Sequence, residues 1–227
     1  MAYFSYGQAP NDVPTACLTG DQCHAVLANV GSLVRVPDAG RTPLMCLLAV
    51  TLRGHDLQHV PDALRTPDLC AAAVNQHGLA LQFVPDKLRT PALCFAAVVR
   101  RGGTLQYVPD VLRTNELCLA AVSNCGTALP WVPAKFRDHA LCLAAVTQRG
   151  GTLQYVPDVI RTADFCLTAV ALDGLLIALV PADQQTAELC LLAVQQNAEA
   201  LDYVAPRFRS TELCAIASSS QSFDRAF

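Results

Sequence analysis

The chain has 227 residues, of which 52% are apolar, 15% charged and 6% aromatic, and its formal net charge is −3. That composition is too apolar for a disordered chain and supplies material for a sizeable core. The mildly acidic balance gives no support to wholesale binding of nucleic acid or of an anionic membrane.

Taken from the start, residues 1–12 read as an N-terminal cap segment, with Tyr3, Phe4 and Tyr6 sealing the apolar face of a first repeat, as terminal repeats must. The segment lacks the basic start and apolar centre of a secretory signal. Val13-Pro14, Cys23 and Gly31 then read as an early copy of a motif that recurs to residue 217. Cys46, Cys70, Cys94, Cys118, Cys142, Cys166, Cys190 and Cys214 each follow the last by 24 positions. Glycine keeps the same step at Gly54, Gly78, Gly102, Gly126, Gly150 and Gly174. Arginine keeps it at Arg41, Arg65, Arg89, Arg113, Arg137, Arg161 and Arg209, with Gln185 in the gap. The string RGGTLQYVPDV at 101–111 returns at 149–159, two periods on. A fixed period of this size predicts a stack of identical bricks. The expected fold is all-α, a right-handed solenoid of about eight repeats forming one domain over 13–217. Residues 218–227, SSSQSFDRAF, leave the pattern as a polar tail that either frays or caps the last helix.

Within one repeat, Thr114 is a suitable N-cap. Pro43, Pro67 and Pro91 stand at the first helical position, where a missing N–H costs nothing. Asp68, Glu116, Asp164, Glu188 and Glu212 favour the positive end of the helix. LCLAAV then places Leu117, Cys118, Ala121 and Val122 on an inward stripe, and Gly126 reads as the C-cap, giving a helix of about ten residues. The second half, TLQYVPDVLR, turns Leu105, Val108 and Leu112 inward. Pro109 forbids one smooth helix there, so a shorter helix or a 3-10 turn is expected. The alanine column (Ala49, Ala73, Ala97, Ala121, Ala145, Ala169, Ala193, Ala217) favours helix over the strand of a β-horseshoe with units of similar length.

The pattern LQYVPDxLRTxxLCLAAVxxxG resembles a bacterial tandem-repeat family of uncharacterised function. More distantly it resembles the leucine-rich variant repeats, which alternate α and 3-10 helices. The resemblance covers nearly the full chain and implies architecture only; it transfers no catalytic residue. The cysteine cluster that holds iron and sulfur in some leucine-rich variant proteins has no counterpart here, so no cofactor is implied.

Columnar cysteines on helices about 8–10 Å apart are too distant for disulfides. They read as small buried packing residues in a reducing, cytoplasmic compartment, with secretion as an effector lacking a conventional signal left open. The arginine column, Arg65, Arg89, Arg113, Arg137 and Arg161, offers either a polyanion ladder or ion pairs with the acids three residues earlier (Asp38, Asp62, Asp86, Asp110, Asp158); the ion pairs are the simpler account. An aromatic column, Phe83, Tyr107, Trp131, Tyr155 and Tyr203, either bridges repeats in the core or forms an exposed stripe. His55 and His59 have helical metal-pair spacing but no third ligand. The seventh repeat breaks the pattern: Leu172, Leu175 and Leu176 take polar or small columns and Leu179 replaces the aromatic residue, which predicts a contact patch or local repacking. No nucleophile motif or phosphate-cradling loop occurs, so the chain does not read as an enzyme. The leading expectation is a protein–protein interaction scaffold, with Leu172, Leu175, Leu176, Leu179, Tyr107, Trp131 and Tyr155 as candidate interface, another protein or a second copy as partner, and no membrane. Polyanion binding through the arginine column is the alternative.

Overall fold

The structure is a computed structural model and describes residues 32–224. The expected cap at 1–12 and the early copy with Val13, Pro14, Cys23 and Gly31 lie outside the described residues. Within them the chain is all-α, built on a helix plus 3-10 period of about 24 residues. Eight α-helices are described: α1 Pro43–Leu52, α2 Pro67–Gln76, α3 Pro91–Arg100, α4 Asn115–Asn124, α5 His139–Gln148, α6 Ala163–Leu172, α7 Ala187–Gln196 and α8 Thr211–Asp224. Each from α1 to α7 is followed by a six-residue 3-10 helix, such as Gly102–Tyr107 after α3. The chain divides into two compact units, Met1–Leu88 and Arg89–Phe227. In the first, α1 packs on α2; in the second, α3 to α8 pack each on the next, and successive 3-10 helices also lie side by side.

Local chemistry sets the helix bounds. Before α4, Thr114 is extended at φ −77 and ψ 163, and its hydroxyl accepts from the Leu117 amide at 3.2 Å. Asp138 caps α5 the same way at 2.8 Å, and Ser210 caps α8 at 3.1 Å. Such a cap contributes about 1 kcal/mol against alanine. The other end differs from the expectation. Cys125, not Gly126, closes α4: it is extended (φ −152, ψ 103), and its amide reaches the Ala121 carbonyl at 2.8 Å. The glycine opens the following 3-10 helix without a left-handed φ, and its role is close approach. A Cβ on Gly102 would collide with the Ala121 carbonyl oxygen of the next helix, and one on Gly174 would stand 2.5 Å from the Ala193 carbonyl oxygen. Glycine thus sets how tightly each 3-10 helix rides on the helix beyond it.

The interior repeats with the same step. Leu117, Cys118, Ala121 and Val122 from α4 are buried, as are Leu129 and Val132 from the segment after it. Burying each leucine or valine stabilises by roughly 1.5–3 kcal/mol. Val108 is extended before its proline (φ −82, ψ 127), as a pre-proline residue must be. Leu105 and Val108 are buried as expected, whereas Leu112 is only half-buried in the short turn Asp110–Leu112 at the margin of the layer. The tail joins the fold: residues 218–224 extend α8 to fourteen residues, and the Ser218 hydroxyl bonds the Cys214 carbonyl at 2.9 Å.

One junction breaks the pattern. At the ends of α2, α4 and α7 a side-chain amide ties the helix to the preceding repeat. Asn124 accepts from the Gly102 amide at 2.9 Å and donates to the Val99 carbonyl at 3.0 Å; Gln76 does the same to Gly54 and Leu52. On α6 that position is Leu172, which can do neither. Leu176 lies in a buried column otherwise held by Ser32, Asp56, Ala80, Thr104, Ala128, Thr152 and Ala200. Its Cδ2 would stand 2.5 Å from a Cβ at Gly150, where other glycines meet a carbonyl. Arg161 Nε is buried without a partner. Between α5 and α6 three fastenings fail together.

Candidate interaction surfaces

The arginine column is structural. Arg113 Nε donates to the Val108 carbonyl at 2.9 Å and Nη1 to the Trp131 carbonyl at 2.8 Å, fastening two successive 3-10 segments. Arg65 repeats this with Val60 at 2.9 Å and Phe83 at 3.1 Å, and Arg89 reaches the Tyr107 carbonyl at 2.7 Å. The expected ion pairs are present as well. Asp62 lies 2.9 Å from Arg65, Asp110 lies 2.8 Å from Arg113, and Asp38 and Asp158 pair with Arg41 and Arg161. These acids are exposed, so each pair contributes at most about 1 kcal/mol; the carbonyl bonds are the larger part. A polyanion ladder requires unpaired guanidinium groups facing solvent, and the Arg65, Arg113 and Arg161 side chains are only 13–17% exposed. Arg137 is different: Ala134 stands where its acid would be, and it bonds Val132 and Pro130 of its own repeat.

The gap at Gln185 has a chemical logic that the sequence pattern alone hid. Its Nε2 donates to the Val180 carbonyl at 3.2 Å and the Tyr203 carbonyl at 3.1 Å, the two acceptors an arginine would take. Its Oε1 accepts from the Ala205 amide at 2.7 Å. Ala205 occupies the proline column, so this repeat has an N–H that the others lack. Both residues are buried. An arginine has no acceptor to offer that N–H; glutamine does. The signal was two departures twenty residues apart, Arg to Gln and Pro to Ala.

The cysteine column is buried from Cys46 to Cys190, whereas Cys214 is exposed, a departure from the expectation. No further described repeat packs over α8, so its outward flank stays open. Burial pushes these thiols above their usual range, with the arginine of the same repeat opposing it for Cys46, Cys70, Cys94, Cys118 and Cys166. Burial, opposed by Arg137 and assisted by Asp138, takes Cys142 to about 11. Neutral thiols of this kind pack well and react slowly. Cys125 lies outside the column, half-buried, with its sulfur 3.0 Å from the Thr127 hydroxyl.

The candidate interface residues separate. Leu176 is buried, so it is withdrawn as a contact: it is repacking against Gly150, and an acid there would enter the core. Leu172 is exposed, and Leu175 and Leu179 are half-buried. In the aromatic column Phe83 and Tyr107 are half-buried while Trp131, Tyr155 and Tyr203 are exposed, so only the last three rings stand as an exposed stripe. His55 stacks against His77 with centroids 4.4 Å apart and meets the edge of Phe83. No group of three or more His, Cys, Asp or Glu side chains placed to hold a metal occurs among the described residues. No described helix is long and apolar enough to cross a membrane.

A surface not foreseen runs over the helices of the second unit. Phe95, Leu119 and Leu191 are exposed, Leu143 and Leu167 are half-buried, and all five share one column directly after the cysteine. Glu116, Asp164 and Glu188, one turn earlier on α4, α6 and α7, are exposed along one flank. The signal was the second leucine of LCLAAV, which the inward stripe does not include. No family model matches the chain, and neither a curated protein nor a solved structure matches it.

Proposed function

We propose that the chain is a non-enzymatic protein-binding scaffold, in keeping with the tandem arrays that its motif resembles. The observation that carries this reading is the apolar ridge Phe95–Leu119–Leu143–Leu167–Leu191. The core is complete without it, since the leucine, cysteine, alanine and valine columns of each helix already fill the interior. A side chain that folding does not require, kept apolar on five successive helices and exposed on three of them, is the pattern of a docking face. The acids along its flank favour a partner whose complementary edge is basic. Leu172, exposed, and Leu175 and Leu179, half-buried, are further apolar side chains at the surface of the same unit.

The test is affinity capture from the native source, comparing the wild-type chain with Leu119→Ser/Leu191→Ser. Both positions are outside the core, so circular dichroism and the melting temperature are expected to stay unchanged while a defined partner is lost. Retention of the same partner by the variant, or no partner captured by the wild type, overturns the proposal.

A further inference from the structure

Trp131 stands in a stretch, LPWVPAKFR, that differs from its neighbours at several columns at once. Pro130 replaces glutamine, tryptophan replaces tyrosine, and Ala134-Lys135 replace the Asp-Val of Asp110-Val111 and Asp158-Val159. The result is an open depression of about 320 Å³ whose lining includes Trp131, Pro130, Pro133, Lys135, Arg137, and Arg113 with its paired Asp110. The indole is 44% exposed, and its backbone is held by the Arg113 bond to the Trp131 carbonyl at 2.8 Å.

The charges in this depression do not cancel. Arg113 is paired with Asp110 at 2.8 Å. Arg137 has lost its acid to Ala134; its Nε and Nη2 bond Val132 and Pro130, and its Nη1 makes no hydrogen bond among the described residues. Lys135 is exposed, with its ammonium 4.7 Å over the Phe136 ring and no acid paired to it. The adjacent carboxylate, Asp138, is engaged at the N-terminus of α5, where it accepts from the Leu141 amide at 2.8 Å. Two cations without counter-ions therefore border an exposed indole flanked by two prolines. Each single change in this repeat is unremarkable; together they remove a negative charge, add a positive one and enlarge the aromatic face.

We propose that this depression binds an acidic, proline-bearing extended segment of a partner protein. A carboxylate of the segment bonds Arg137 Nη1 and the Lys135 ammonium, and a proline ring packs on the Trp131 indole, the arrangement by which aromatic-lined surfaces take pre-extended chains. The assignment rests on reading the chain as a protein-binding scaffold and adds a second surface, of opposite preference to the acid-flanked ridge.

Trp131 is the only tryptophan in the chain, so its emission reports the site directly. The full chain is titrated with the peptide (Glu-Pro)4, with (Gln-Pro)4 and with inorganic phosphate. The expected result is a saturable emission change with the acidic peptide that weakens with salt, and none with the neutral one. The variant Ala134→Asp/Lys135→Val recreates the neighbouring repeats, in which Asp110 pairs with Arg113 and Val111 is exposed, so the fold is expected to hold. It should lose at least about tenfold in affinity, the scale of one charge-assisted hydrogen bond. Lys135→Glu, at an exposed position, repeats the test if Ala134→Asp lowers the melting temperature. No emission change, an equal response to the neutral peptide, phosphate binding as tightly as the peptide, or full affinity in both variants overturns the site. If the peptide fails while Leu119→Ser/Leu191→Ser still loses its partner, the site falls and the scaffold reading stands.

Discussion

Gln185 and Ala205 form a compensated pair, and exchanging them for the residues of the other repeats tests how the stack is fastened. In Gln185→Arg the two carbonyls of Val180 and Tyr203 keep a donor, but the Ala205 N–H loses its acceptor at 2.7 Å. Ala205 is 6% exposed and Gln185 4%, so water does not replace the bond. A buried N–H left without a partner costs about 1–3 kcal/mol. In Ala205→Pro alone the backbone already suits proline, at φ −59 and ψ 140. The gain of about 0.4–1 kcal/mol from a stiffer unfolded chain is then set against an unsatisfied Gln185 Oε1. The double variant restores the combination of the other repeats and should recover the loss. A double-mutant cycle by urea unfolding is expected to give a favourable coupling of about 1–3 kcal/mol, well above the few tenths found for independent sites. Additive single effects would refute the assignment of Gln185 as an acceptor chosen for the missing proline.

Two further outcomes follow from the interior. The buried thiols ionise later in the folded chain than in the unfolded one, where a free thiol titrates near about 8.5. With Cys142 at about 11, the unfolded state gives up its protons first, so this stabilisation is complete below about pH 8.5 and disappears as the pH climbs through the folded value. Urea midpoints should fall from neutral pH to about pH 10, and less steeply in Cys118→Ala/Cys142→Ala; an identical slope in that variant removes the thiols as the cause. Gly102→Ala places a methyl group against the Ala121 carbonyl and should cost about 1–3 kcal/mol, read as a lower melting temperature, whereas Gly103→Ala meets open space and should not. Equal melting temperatures would dismiss the close-approach role of that column.

The fold was legible because every column states one physical requirement repeatedly. Thr114, Thr66 and Thr90 are caps in the same place; Cys118, Ala121 and Val122 recur as an inward stripe; Pro109 interrupts the second half. One reading failed, and one alternative fell away while the expected ion pairs held, because a residue type admits two uses. Gly126 suits a left-handed cap, and only the distance to the next helix shows that it serves close approach. Arg113 suits an exposed ladder, and only the Val108 and Trp131 carbonyls show it to be a fastening. Leu176 stayed open between contact and repacking because a leucine in a small column signals either exposure or filling, and the neighbour that decides for filling, Gly150, is 26 positions away in the chain. The outer ridge was missed since Leu119 sits among other apolar letters, with nothing in the string to mark it as outward.

The parting of fastenings between α5 and α6 has a mechanical consequence. In a one-dimensional array every brick is held only by its neighbours, so strength is local and the weakest joint governs how the whole gives way. Leu172 without an amide, Leu176 lodged at Gly150 and Arg161 Nε without an acceptor put that joint in the middle of the second unit. Pulled or heated, the unit should tear there first, releasing α6–α8 as one cooperative block while α3–α5 stay protected, and amide exchange that spreads evenly over all six helices would contradict it. A binding surface that spans this fault line inherits its compliance: a partner gripping both sides would hold closed a joint that the chain leaves loose.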